Sequence, residues 1–333
     1  MSDRKALPAA LLAVLAFAGP VAGCGGDSGG GDSTSAVSDQ AAPPPSDFPP
    51  ASGKSLDQLL SSSGAQPTND IVVAPASKVF EQGRDRFGFG VFTPSQKPIT
   101  GAQLALYAAP SSGGPAVGPY PARIDSLHVE SQFESETTRT DPDAATDVYV
   151  SNVRFDQSGN WNVVAMIQDG DQLTASLLPS VAVGPYSRIP DIGERPPPIH
   201  TPTAPDVRGD LSKIDTRSPH DDMHKVDFAD VLGRKPVVLL FATPALCQSR
   251  VCGPVVDVAE QVKAQYGNRV AFIHMEVYDH NNVNDGLRPQ MKAFGLSTEP
   301  WVFVIDKNGT ISTRIEGAFG LSELQNAVQK VAG

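Results

Sequence analysis

The stretch Val237-Val-Leu-Leu-Phe241 carries five apolar residues in a row, with Pro236 before it and Thr243-Pro244 after it. An apolar run this short without alternation reads as a strand covered on both faces. A strand of that kind needs helices or other layers above and below it, which places the surrounding chain in the α/β class. Six residues past Phe241 stands Cys247, then Gln-Ser-Arg-Val, then Cys252-Gly-Pro254. Val255, Val258, Ala259, Val262 and Tyr266 then recur at helical spacing, and Gly267 is suited to end the helix. A cysteine pair between a buried strand and a helix is a reactive pair, a metal site or a structural staple.

The pattern after the helix sharpens the reading. Val270–Met275 is a second buried strand, and Gln290–Phe294 closes a second helix. Trp301–Ile305 and Thr310–Arg314 flank the hairpin signal Asp306-Lys-Asn-Gly309, and Leu321–Val331 is amphipathic. The β-α-β-α-β-β-α order over 213–333 resembles thioredoxin. Two local matches carry the resemblance further. Phe294-Gly-Leu-Ser-Thr-Glu-Pro300-Trp-Val-Phe-Val-Ile resembles the family segment in which a cis-proline opens the third strand. Gly253-Pro-Val-Val-Asp257 lies where the family's first helix carries a proline. The resemblance implies that Pro300 is cis and lies beside the cysteines, with Glu299 at its side. It also implies that Cys247 is the nucleophile and Cys252 resolves the mixed disulfide. Arg250 between them is either a thiolate-stabilising charge or a solvated side chain.

The cysteine spacing departs from the family. Thioredoxin separates its cysteines by two residues; here four intervene. Counted from Phe241, Cys247 falls one place and Cys252 three places beyond the family positions, while Pro254 and Asp257 stay in register. On a regular helix a five-residue offset turns roughly 500°, leaving the two side chains about 140° apart. A disulfide therefore requires Cys247 in a loop that folds back over the first turn, with Cα atoms within about 4.4–6.8 Å.

Other families fit less well. A peroxiredoxin motif would need one residue fewer between Pro244 and Cys252, and Pro300 fills the slot those enzymes give to an arginine. Sco-type copper proteins use two cysteines and a distant histidine, so the alternative metal set is Cys247, Cys252, His274 and His280, with copper as the ligand. His274 alternates with Phe272 in an apolar strand and reads as a core histidine. His220-Asp-Asp-Met-His224 has a metal-like composition but reads as a polar loop. Otherwise no cofactor is expected. A third reading is a non-catalytic binding module with a structural disulfide.

The third cysteine has its own explanation. Arg4 and Lys5 precede an apolar run, Leu7–Ala22, shorter than the roughly 20 residues that span a bilayer. The run ends Val21-Ala-Gly-Cys24, which resembles the lipobox of bacterial lipoproteins. That resemblance implies a signal peptide at 1–23, acylation of Cys24, and a mature chain lipid-anchored on the extracytoplasmic face of the cell membrane. Disulfides persist there, and Cys247 and Cys252 remain as an even pair.

The rest divides by composition. Residues 24–69, rich in Gly, Ser, Ala and Pro, read as a disordered tether. Over 70–187, Phe87/Phe89/Val91, Ala102/Leu104/Leu106, Val148/Val150 and Trp161/Val163/Ala165/Ile167 alternate as half-buried strands do, with Trp161 read as core. Ser111–Asp141 reads as long loops with one strand at most. Ser158-Gly-Asn-Trp161, with the strand before it, resembles the end of the immunoglobulin-like domains of exported bacterial proteins. Residues 188–212, with Arg195-Pro-Pro-Pro198, read as a semi-rigid linker that keeps two domains apart. The expected fold is thus an all-β immunoglobulin-like sandwich followed by an α/β thioredoxin-like domain. The net charge of -11 with no basic patch excludes a nucleic-acid partner. The expected activity is thiol–disulfide exchange on exported proteins.

Overall fold

The computed structural model describes residues 38–170 and 172–333, so the leader, Cys24 and the first part of the tether lie outside the described residues. Along the chain the N-terminal elements are α1 (Leu56–Ser63), β1 (Gln66–Pro67), β2 (Val72–Pro75), β3 (Gly83–Phe92), β4 (Leu104–Pro110), β5 (Val117–Pro121), β6 (Arg123–Ser126), α2 (Glu136–Arg139), β7 (Asp147–Phe155), β8 (Gly159–Asp169), β9 (Gln172–Leu177) and β10 (Val181–Val183). The C-terminal elements are α3 (Phe228–Val231), β11 (Val237–Phe241), α4 (Cys252–Tyr266), β12 (Ala271–Met275), α5 (Pro289–Ala293), β13 (Trp301–Ile305), β14 (Ile311–Glu316) and α6 (Leu321–Gln329).

Two sheets share the N-terminal core. One runs β2-β3-β7-β6; the other runs β1-β9-β8-β4-β5, with β10 also paired to β8. Phe87, Phe89 and Val91 of β3 and Tyr149, Val153 and Phe155 of β7 meet Leu104 and Leu106 of β4 and Trp161, Val163, Ala165 and Ile167 of β8. Trp161 is buried, and its indole N–H donates to the Gln157 carbonyl at 3.1 Å. The Ser111–Asp141 stretch holds more order than its weak periodicity suggests: β5, β6 and the single-turn helix α2.

Three layers differ from the sequence reading. Val148 and Val150 point away from the sandwich core while Tyr149 between them points into it. They pack with Val255, Val258 and Val262 of α4 and Leu324 and Val328 of α6. Strand parity requires this: the intervening residue takes the opposite face. The second correction concerns residues 38–69. Ser55 and Gln58 form a reciprocal capping box that starts α1, and Gly64 at φ 75° ends it. Leu59 is fully buried with Phe48, Ala51 and Ala65 against Ala105, Tyr107 and Ala109 of β4. Strand β4 is buried on both faces, and this segment supplies the outer cover.

The third correction concerns 188–212. Ile189 and Ile199 are buried in the C-terminal core with Phe228, Leu239, Phe241 and Phe303. Ile189 and Ile199 hold this segment against the sheet, where it acts as a covering layer and not as a spacer. The two halves also exchange buried polar contacts. Glu323 of α6 accepts from Arg86 at 2.7 Å and from Arg123 at 2.8 Å. Glu316 Oε2 accepts the backbone N–H groups of Lys78 and Val79 at 2.9 and 2.8 Å. The described residues accordingly belong to a single compact unit.

In the C-terminal half the strand order is β12-β11-β13-β14. β11 pairs parallel to β12 and antiparallel to β13, and β13 and β14 form the hairpin expected over Asp306–Gly309. Every residue of β11 is buried, as the apolar run requires, because α4 and α6 with Met223 cover one face, and Ile189, Ile199, Phe228 and Leu232 with α5 cover the other.

Candidate functional site: a covered disulfide

Strand β11 ends at Phe241, and the chain turns through Thr243–Arg250 before α4 begins at Cys252. The four residues between the cysteines are spent in this turn, where Arg250 adopts φ 59°. The turn brings Cys247 back over the first residues of the helix, and Cys247 and Cys252 form a disulfide with Cα atoms 5.9 Å apart. Cys247 is 8% exposed and Cys252 fully buried, so Cys247 is the more accessible sulfur. The Ser249 hydroxyl lies 3.2 Å from Cys247 Sγ, close enough to donate to it. Cys252 is the first residue of α4, and no side chain caps the helix there. The stabilising effect of unpaired N–H groups on a thiolate therefore falls on Cys252, the buried partner. Pro254 is tolerated because it sits in the first helical turn, where no intrahelical N–H is lost.

Pro300 follows a cis peptide bond with Glu299, as the resemblance implies. Glu299 Oε2 lies 3.5 Å from Cys252 Sγ, and Cys247, Cys252 and Glu299 form one cluster of potential ligand atoms. Burial pushes the Glu299 carboxyl up to about 8, and the nearby Glu276 carboxylate adds to the rise. Contacts from Tyr278 and the Thr243 backbone pull the other way. The result is a carboxyl that is mostly protonated at neutral pH and sits against the buried sulfur.

The N-terminal half builds the other wall. A cleft of about 350 Å³ lies between the α2 segment and the disulfide turn, and Thr138, Asp141, Pro244, Cys247, Arg250 and Gly253 are among its lining residues. Arg250 Nη1 donates to Asp141 Oδ2 at 2.7 Å, and the Ala145 N–H donates to the Arg250 carbonyl at 3.1 Å. The Arg250 charge is therefore paired with Asp141 on a half-exposed side chain, which fits the solvated reading and not a thiolate partner. A β-carbon on Gly253 would lie 2.8 Å from Thr138 Oγ1, so only glycine lets α2 approach this closely. Below the cleft, the buried Asp257 of α4 pairs with Arg217 Nε at 2.9 Å and accepts from the Ser135 N–H at 3.0 Å. Arg217 in turn donates to the Phe133 carbonyl at 2.7 Å.

The alternative copper set does not assemble. His274 Nδ1 lies 2.6 Å from Asp221 Oδ2, and its Nε2 lies 3.0 Å from the Ala242 carbonyl. It groups with Asp215, Asp221 and His224, apart from the cysteines. His280 is 79% exposed at its side chain and faces Asp285 at 3.2 Å. The physical reason is strand parity and loop length: His274 points to the side of β12 that the 215–224 segment covers, and His280 sits past the strand in an exposed turn. The stretch 220–224, read as a polar loop, is instead largely interior, with Asp221, Met223 and His224 buried. Burial works against the charge on His274, but the adjoining Asp221 carboxylate outweighs it and raises the imidazole. His224 is held down at about 4 by burial.

The structure joins Cys247 to Cys252 and gives Pro300 its cis bond beside them, while the covering loop was not read from the sequence. The signal present was Gly253 together with Thr137-Thr138 and Asp141. Only the fold places them together.

No family model and no curated protein matches this chain. Among solved structures, a putative thiol:disulfide interchange protein DsbE from Chlorobium tepidum is 16% identical at a TM-score of 0.32, covering 43% of this chain and 99% of that one. A thiol:disulfide interchange protein of the thioredoxin family from Chlorobium tepidum TLS is 19% identical at 0.31, with the same coverages. The C-terminal half of this chain has the strand order β12-β11-β13-β14 with the disulfide before α4.

Proposed function

We propose that this protein exchanges disulfides with protein thiols through Cys247 and Cys252. The observation that carries the reading is the pairing of a cleft-lining Cys247 with a buried Cys252 whose sulfur faces the protonated Glu299 beside Pro300. A substrate thiolate entering the cleft attacks Cys247 Sγ. The Cys247–Cys252 bond breaks, a mixed disulfide forms at Cys247, and the electron pair leaves on Cys252. The Glu299 carboxyl gives its proton to that sulfur as it leaves. In the second half a second thiolate of the substrate attacks the substrate sulfur of the mixed disulfide, the electron pair leaves on Cys247, which takes up a proton from solvent, and the substrate departs as a disulfide with Cys247 and Cys252 both thiols. Run in reverse, the Glu299 carboxylate takes the Cys252 proton, Cys252 attacks the mixed disulfide at Cys247, and the same site reduces a substrate disulfide to a dithiol.

In this reading Cys24 is acylated, and the protein works from the extracytoplasmic face of a membrane on exported proteins. The support for that placement is the lipobox-like Val21–Cys24 and the persistence of a disulfide outside the cytoplasm. The N-terminal sandwich is immunoglobulin-like in the same reading, on the strength of the Gly159-Asn-Trp161 strand entry.

One observation favours a second reading, a structural disulfide: the turn is latched by Arg250–Asp141 and neither cysteine is more than 8% exposed. The reduction potential of the full chain and its turnover of a disulfide-bonded protein substrate decide. A potential of about -120 to -270 mV with turnover lost in Cys247→Ser supports exchange. A potential below about -300 mV without turnover leaves only the staple.

A further inference from the structure

We propose that Asp215, Asp221, His224 and His274 form a binding site for a divalent transition-metal ion of the zinc class, separate from the disulfide. All four side chains are buried: 1%, 4%, 3% and 1% exposed. Their ligand atoms lie within 4.8 Å of one another. His224 is the decisive residue. It is buried inside the cluster, and among the described residues neither of its ring nitrogens has a hydrogen-bond partner. Its Nε2 faces Asp221 Oδ1 at 3.4 Å and Asp215 Oδ2 at 3.8 Å. His274 Nδ1 faces Asp221 Oδ2 at 2.6 Å and Asp215 Oδ1 at 3.9 Å. One ligand atom from each residue lies within 4.8 Å of the others, so a small inward shift reaches the roughly 3.3 Å edge of a tetrahedron with metal–ligand bonds of about 2.0–2.1 Å.

The surrounding contacts are those of a supported metal site. His274 has its Nε2 3.0 Å from the Ala242 carbonyl, so Nε2–H can donate there and leave Nδ1 facing the cluster. Asp215 accepts the N–H groups of Arg217 and Asp221, and Asp221 accepts that of Met223, which fixes both carboxylates while each oxygen keeps a second lone pair. Binding releases the proton held between His274 and Asp221, and two carboxylates with two neutral imidazoles then balance the dication. His220, half-exposed and 3.5 Å from Asp215, stands at the mouth as the route from solvent. Two imidazoles and two carboxylates, without thiolate, suit zinc over copper(I). The ion would clamp the 215–224 segment to β12 and, through Ala242, to the start of the disulfide turn.

The test is Zn2+ titration of the chelator-treated full chain by calorimetry, with metal content read by mass spectrometry. The expected result is one tightly bound ion per chain, retained in a Cys247→Ser/Cys252→Ser double variant and weakened on the order of 100-fold or more in His224→Gln. No tight binding by the wild-type chain overturns the proposal, as does binding that His224→Gln leaves intact or that the cysteine variant loses. If His224→Gln does not fold, Co2+ binding by the wild-type chain decides. A four-coordinate spectrum without thiolate charge transfer supports the site, and a six-coordinate or thiolate spectrum overturns it.

Discussion

Replacing Glu299 by Gln separates the stability of this fold from its proposed chemistry. The Glu299 carboxyl is raised to about 8, chiefly by burial, from an ordinary value of 4.5. Between those two values the folded chain holds a proton that the unfolded chain has released. Stability therefore falls as pH rises from 4.5, and the loss levels off above 8. At 1.36 kcal/mol per pH unit, the loss accumulated by pH 7 is about 3 kcal/mol. A neutral glutamine keeps the shape and the hydrogen-bonding capacity but has no proton to lose. Glu299→Gln should leave stability near pH 4.5 almost unchanged and raise it by about 3 kcal/mol at pH 7, as urea unfolding of the oxidised protein at both pH values would read. The same variant should slow thiol–disulfide exchange by about 10²–10⁴-fold, because no group remains to carry the Cys252 proton. Equal pH slopes in the two proteins would refute the buried-carboxyl argument. A more stable variant with wild-type exchange rates would refute the proton-transfer role alone.

Three further outcomes follow from the packing. Leu59→Ala should cost about 2–5 kcal/mol in chemical denaturation, since Leu59 is fully buried under β4; a change below about 0.5 kcal/mol would mean that residues 38–69 do not cover the sandwich. Arg250→Ala removes the latch to Asp141 and should speed reduction of the disulfide by dithiothreitol several-fold, with an unchanged rate counting against the cover. A fragment of residues 213–333 should lack a cooperative thermal transition, because it leaves Val255, Val258, Leu324 and Val328 without Val148 and Val150, and Arg217 without the Phe133 carbonyl; a sharp transition would show that the C-terminal half folds alone.

What could be read from the sequence follows the range of the physics. Val237–Phe241, the α4 spacing and the Asp306–Gly309 hairpin are local patterns, and each appears where the residues alone place it. The sandwich alternation was equally legible in Phe87, Phe89 and Val91. What was not legible depends on which surface needs covering. Nothing near Leu59 shows that Ala105, Tyr107 and Ala109 leave an apolar face open. Val148 and Val150 look like any alternating strand, and only the valines of α4 reveal which face they take. The prolines of 188–212 suggest stiffness but not attachment, which Ile189 and Ile199 decide. His224 looked like one member of a polar loop because its burial comes from elements far along the chain.

The long cysteine spacing and the shared core belong together. In a lone thioredoxin-like domain the turn from Thr243 to Arg250 would stand in solvent, and its positive-φ Arg250 would have no fixed partner. Here Asp141 takes the guanidinium, Ala145 binds the Arg250 carbonyl, and Thr138 packs where Gly253 leaves room. Of the residues between the cysteines, Arg250 is held by the N-terminal half, while Ser249 contacts Cys247 within the turn. On the proposed exchange reading a substrate would meet both halves at once: the sulfur of Cys247 on one wall, and the threonines and Asp141 of the α2 segment on the other. Selectivity for the partner would then reside in residues 137–144, which a thioredoxin-like domain does not contain, while reactivity would reside in Cys247, Cys252 and Glu299. Exchanging the α2 segment should change which proteins are bound without moving the reduction potential, whereas changes at Glu299 should do the reverse.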